Sequence, residues 1–173
     1  MSMKPNRSTP APTPRPGAVA AAVRADSGGG SDPYEAAARP PEPAECPQCH
    51  ATFTGGRWSW DEAPEDAYQQ LCPACQRIRD RFPAGYVTIK GAFLKEHRDE
   101  IVHFIESHAK LGHERRPLQR IMGMEDTRDG LEVTTTDSFL ARAIAQALQD
   151  TYKGDLKLRY SPDEHLVRAT WKR

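Results

Sequence analysis

The sequence predicts an α+β protein in three parts, and three observations carry that prediction. Composition changes near residue 44, two C-x-x-C pairs follow, and from Gly85 onward strand and helix signals alternate with clear stops. Residues 1–44 are rich in Pro, Ala, Ser and Gly, as in TPAPTPRPG, SGGGSD and RPPEPAE, with Tyr34 their one aromatic. Such a segment buries too little apolar surface to offset its backbone entropy, so a disordered tail is expected. Its GAVAAAV run is short, Ala-based and preceded by prolines. A secretory signal needs a clearly apolar helical core, so none is predicted. Organelle import is the alternative reading, because no acid precedes Asp26.

The second part, residues 45–84, is organised by cysteines. CPQCH, Cys46 to His50, has the form of a c-type haem attachment site. The chain's other two cysteines, Cys72 and Cys75 in LCPAC, follow after 22 residues. Haem explains Cys46, Cys49 and His50 and leaves that second pair idle. Zinc explains all four thiols, since two knuckles close a tetrahedron about one ion. Two disulfides would suit a secreted scaffold, and a thioredoxin-like pair would need one C-x-x-C on a βαβ unit. Neither context is present. Four thiolates leave no open coordination position, so the predicted cofactor is one structural Zn²⁺ per chain, held by Cys46, Cys49, Cys72 and Cys75. His50 is expected to serve the left-handed backbone after a knuckle, where His is enriched among non-glycine residues. Its alternative is to displace one cysteine as ligand.

Between the knuckles, FTGGRWSW reads as a hairpin with a Gly-Gly turn and Trp58 and Trp60 on one strand face. DEAPEDAYQQ follows as a polar excursion. QRIRDRF reads as one or two helical turns before Pro83, with Ile78 and Phe82 inward and Arg77 and Arg81 on a neighbouring stripe.

The third part, residues 85–173, starts with GYVTIKG, a short β-branched strand between glycines. AFLKEHRDEIVHFIESHAKLGH is a helix with Leu94, His97, Ile101, Phe104, Ile105 and His108 on one side, ended by Gly112 and Pro117. LQRIMGMED and LEVTTTD pair about Asp129-Gly130. Asp137 or Ser138 caps SFLARAIAQALQDTYKG, with the stripe Leu140, Ile144, Ala147, Leu148 and Tyr152, and Gly154 stops it. LKLRY and LVRATWK close a last hairpin around SPDE. The order β-α-β-β-α-β-β is ferredoxin-like with one added strand, placing two helices on one face of a mostly antiparallel sheet.

Zero formal net charge and a pI near 7.0 point to no partner, so any nucleic-acid contact must be local. Residues 77–120 hold ten Lys or Arg against six acids. Arg77, Arg79 and Arg81, joined by Arg57 from the hairpin, form a candidate phosphate-binding edge. The alternative is a solvated face paired with Asp80 and the acids of DEAPEDAY. Trp58 and Trp60 could stack on RNA bases, or pack over the knuckles. KGAF, Lys90 to Phe93, resembles part of an RNA-recognition strand signature but runs into a helix. The histidines at 97, 103, 108 and 113 show no i, i+4 pair, and read as ordinary helical histidines. No P-loop, dinucleotide fingerprint or nucleophile elbow is present, so no catalytic residue is predicted. No apolar run reaches the length of a membrane span.

CPQCHATFTGGRWSW, CPACQRIRDRFPAGYVTIKGAFLKEHRDEI, PLQRIM and DGLEVTTTD together resemble a bacterial zinc-ribbon family labelled "NMD protein affecting ribosome stability and mRNA decay". The resemblance covers residues 45–173. That family is related to the N-terminal zinc region of the archaeal and eukaryotic large-subunit export adaptor, in which Cys46, Cys49, Cys72 and Cys75 match zinc positions. The adaptor carries more C-x-x-C pairs and further domains, so its export role does not transfer. The resemblance implies the ribosome or rRNA as partner. The expectation is a cytoplasmic, non-enzymatic, ribosome- or RNA-binding zinc protein. A zinc-scaffolded module for a protein partner is the rival, and a ligand-binding enzyme or regulator is the third reading.

Overall fold

The computed structural model describes residues 32–161 and 165–173. The expected tail as far as residue 31, with the import reading, and the tip of the SPDE turn lie outside the described residues.

Alternating burial sets the larger sheet. β5 (Gly85–Lys90) buries Val87 and Ile89 and turns Tyr86, Thr88 and Lys90 the other way. β6 (Ile121–Thr127) and β7 (Gly130–Thr135) form the expected hairpin, joined by Arg128 and Asp129. β8 (Asp155–Ser161) and β9 (Leu166–Lys172) form the last one. The five strands lie in the order β6-β7-β5-β9-β8. Helices α3 (Ala92–Arg115) and α4 (Ser138–Tyr152) share one core with the sheet, built on Val87, Ile89, Ile105, Leu131, Ile144 and Trp171. Asp137 is the N-cap of α4, accepting from Leu140 N at 2.8 Å.

The predicted element order holds, and the added strand has a definite place. β9 inserts beside β5 and runs parallel to it, while β8 takes the edge. Side chains explain the choice. β9 buries Leu166, Ala169 and Trp171, whereas β8 exposes Lys157, Arg159 and Tyr160, as a charged edge strand should. Gly112 does not end α3: the helix continues to Arg115, Arg116 N donates to Gly112 O, and the stop is Pro117 alone.

The first unit is built on a second, four-stranded sheet. β2 (Thr52–Thr54) and β3 (Arg57–Ser59) form the hairpin about Gly55 and Gly56, which both take positive φ, 59° and 76°. β1 (Ala44–Glu45) pairs antiparallel with β2 and parallel with β4 (Tyr68–Gln69), so the polar excursion supplies a strand. α2 (Pro73–Asp80) follows the second knuckle.

Two expectations are corrected here. Residues 32–44 belong to the first unit instead of the tail. They include a single helical turn, α1 (Glu35–Ala38), and a buried Ala44, and Glu42 accepts from both Gly55 N and Gly56 N at 2.9 Å. The phase of α2 is also shifted. Arg77 is the buried residue, while Phe82 is 46% exposed. The helix ends at Asp80 and Arg81 turns left-handed (φ 52°, ψ 44°), which throws Phe82 off the helical face. Arg77 is what anchors 32–44. Its Nη2 contacts both Asp32 carboxylate oxygens at 2.7 Å, Nη1 donates to Phe82 O at 3.2 Å, and the Tyr34 ring lies 4.4 Å from its guanidinium.

Arg77→Ala leaves Asp32 and the Phe82 carbonyl without their donor. It is expected to cost about 1–3 kcal/mol and lower the thermal midpoint by roughly 4–10 °C. Arg79→Ala, which breaks only a surface pair with Asp80, should shift it by less than about 2 °C. Circular dichroism melts of both variants make the comparison.

Candidate metal centre

Each cysteine pair is set on a short backbone device. In the first, Cys46 N donates to Ala51 O and His50 N to Cys46 O, both at 2.8 Å, closing a tight loop. His50 has φ 62°, the left-handed conformation expected of it. Its side chain is 76% exposed and bonds Glu45 Oε1 at 2.9 Å, away from the sulfurs. The hydrogen bond from His50 holds the Glu45 carboxyl below its usual range. In the second, Cys72 is the N-cap of α2 and its Sγ accepts from Cys75 N at 3.4 Å, with Pro73 opening the helix. That helix N-terminus favours thiolate.

The two devices bring Cys46, Cys49, Cys72 and Cys75 together, with all four sulfurs within 4.8 Å of one another. Cys49 Sγ and Cys72 Sγ are 3.7 Å apart. A regular tetrahedron with metal–sulfur bonds near 2.3 Å requires about 3.8 Å between sulfurs. The donors therefore fit a tetrahedral four-thiolate centre. A sulfur–sulfur bond is far shorter, near ~2.05 Å, and all four cysteines are free. The Cys72 contact pulls the Cys49 thiol far below its ordinary value, and the same contact together with burial pushes Cys72 up. Ala44, Ala51, Phe53, Trp58 and Ala74 surround the sulfurs as a dry shell.

The third part of the chain completes the site. Arg120, between α3 and β6, donates from Nη2 to Cys75 Sγ at 3.2 Å and to Cys72 Sγ at 3.4 Å. It is held in turn by Nε to Pro117 O at 3.1 Å and by its backbone N to Thr136 Oγ1 at 2.9 Å. Four thiolates and a dication carry a formal charge of −2, which one guanidinium halves. Leu118, from the same loop, packs on the dry shell. Burial, and Arg120 after it, lower the neighbouring His113 below the ordinary imidazole value.

The predicted phosphate edge is not one surface. Arg57 is exposed on the hairpin, Arg77 is buried against Asp32, Arg79 pairs with Asp80 at 2.7 Å, and Arg81 is exposed beyond α2. The tryptophans also separate. Trp58 is 8% exposed with its ring 5.4 Å from that of Phe53. Trp60 donates to His113 O at 2.8 Å and meets the His113 ring edge-on, joining hairpin to α3. None of the helical histidines belongs to a metal-ligand cluster among the described residues. Arg120 was missed in the sequence because its only signal there is an arginine inside PLQRIM, 45 residues from Cys75. No helix among the described residues is long and apolar enough to cross a membrane. Comparison of the chain with family models, with curated proteins and with solved structures finds no match.

Arg120→Ala is expected to keep one metal ion per chain and weaken its retention roughly 10–100-fold, with Arg120→Lys between it and wild type. Competition against a chromophoric chelator reads both.

Proposed function

We propose that the ion is zinc and that the protein is a non-enzymatic, zinc-scaffolded RNA-binding protein of a reducing, cytoplasmic setting, with the ribosome as its target. The observation that carries the scaffold is the cluster of four cysteine sulfurs, which about one ion would leave a substrate no coordination position. Its work is to hold the hairpin, α2 and the Arg120 loop in one arrangement. Structural zinc in comparable modules is worth roughly 10–16 kcal/mol, more than a unit of this size gains from apolar burial.

RNA as the partner draws support from the groove where hairpin meets α3. This groove of about 630 Å³ gathers Arg57, Arg115 and Arg116 around Trp60 and the exposed Phe139, with Asp61 and Glu114 among its acids. Cations beside aromatic faces suit looped RNA. The resemblance to the family labelled for ribosome stability and mRNA decay favours rRNA. A protein partner is the second reading, favoured by Phe139, which is 67% exposed on the groove's rim.

Two outcomes are expected. Purified protein contains one zinc per chain and shows no Soret band, and a strong chelator abolishes its near-ultraviolet circular dichroism from the first unit. In sedimentation of cell extract the protein travels with ribosomal particles at about 50 mM salt, and its affinity falls at least tenfold by roughly 200 mM. Protein that stays at the top of the gradient at low salt contradicts the ribosomal reading.

A further inference from the structure

We infer that the uncovered face of the five-stranded sheet is a binding surface for single-stranded RNA. The inference rests on the RNA reading above and assigns it a surface distinct from the groove.

Helices α3 and α4 cover one face only. On the other, residues that alternate with the buried ones stand in register across β5, β9 and β8. Arg159 on β8 is directly opposite Arg168 on β9, and Lys90 on β5 is directly beside Lys172 on β9. Like charges directly across a strand pair destabilise a sheet. A surface selected only to be soluble would avoid two such pairs along one strand, here at Arg168 and Lys172 with Thr170 between them. Asp129 partners Lys90 at 3.2 Å, and Asp155 stands opposite Lys172. Among the described residues, Lys157, Arg159, Arg168 and Lys172 have no carboxylate within ion-pair distance. Asp155 apart, the acids of this face are Glu125 and Glu132, which stand opposite each other on β6 and β7. The face is thus polarised, and its basic half has the charge of a polyanion site.

One feature distinguishes nucleic acid from an acidic peptide. At the end of this half, against the first unit, a hollow of about 340 Å³ is floored by Pro33, Phe82, Pro83, Tyr86 and Leu166 and flanked by Arg81 and Arg168. The Arg168 guanidinium lies 4.4 Å over the Tyr86 ring, and Phe82 is 46% exposed. An apolar, aromatic floor between two guanidinium groups matches a base with its flanking phosphates. The base must be unstacked to enter, which selects single strands over duplex. Of the arginines predicted from sequence, only Arg81 belongs to this surface.

The test is fluorescence anisotropy on the full zinc-loaded chain, with a labelled single-stranded RNA of mixed sequence, a perfect RNA duplex, and polyglutamate as competitor. Lys157→Ala/Arg159→Ala/Arg168→Ala should weaken single-strand binding at least tenfold and make its log–log salt dependence shallower by about 2. The substitutions relieve the Arg159–Arg168 repulsion and remove the Arg168–Tyr86 contact, so the thermal midpoint should shift little, and a circular dichroism melt of the variant separates loss of binding from unfolding. Tyr86→Leu should weaken binding by roughly fivefold or more with the salt dependence unchanged. If wild type and the triple variant bind equally, the face is not the site and the RNA reading survives at the groove. Preference for duplex, or competition by polyglutamate as effective as by RNA, also overturns the inference. If neither RNA is bound, the inference falls together with the RNA reading.

Discussion

Electrostatic repulsion among four sulfur atoms is the constraint around which the first unit is built. Placed within 4.8 Å of one another among alanines, Phe53 and Trp58, with three cysteines buried and Cys49 half-buried, thiolates are tolerable only if a cation sits among them. Local backbone geometry serves that end. His50 accepts a left-handed conformation so that the first loop can close, and Cys72 doubles as a helix cap so that the second pair faces a helix N-terminus. The surplus negative charge is met from outside the unit by Arg120, and this makes the cysteine cluster a junction. A residue fixed by Thr136 and Pro117 in the α/β part donates directly to the sulfurs, so each part stabilises the other's geometry.

A second charge, on Arg77, plays the same role at the other end of α2. It is 2% exposed, and its partner Asp32 lies in a segment whose composition is that of a loop. Small residues and carboxylates, in place of large hydrophobes, attach this segment. Glu42 clamps the Gly55–Gly56 turn, Ala44 adds a strand, and Tyr34 stacks on the Arg77 guanidinium. Structure without a hydrophobic signature arises here because ionic and backbone contacts to the hairpin and α2 hold the segment in place.

What the sequence made legible were the features encoded within a few residues or by a period. The cysteine pairs, the Gly-Gly hairpin, the Asp137 cap and the strand–helix alternation after Gly85 are all of that kind. Pairings across long separations were not legible. Arg77 looks like a surface cation until Asp32, 45 positions away, is known to meet it. Nothing local places β9 inside the sheet and β8 at its edge, although the apolar Trp171 against the charged Lys157 and Arg159 gives the reason afterwards. The basic edge assumed for RIRDR failed for the same cause. Burial of one arginine, pairing of the second and the left-handed turn at the third disperse what looks contiguous in sequence. The cations that do share a surface come from β8 and β9, and strand pairing alone brings them together.

The first unit is proposed to depend on a closed shell of four sulfurs about one ion. X-ray absorption at the zinc edge of protein purified without added metal tests it directly. Four sulfur scatterers near ~2.3 Å, with no nitrogen or oxygen in the inner shell, are expected. A shell containing nitrogen or oxygen would put His50 or solvent on the metal and open a coordination position, contradicting the claim that the metal serves only to hold the fold.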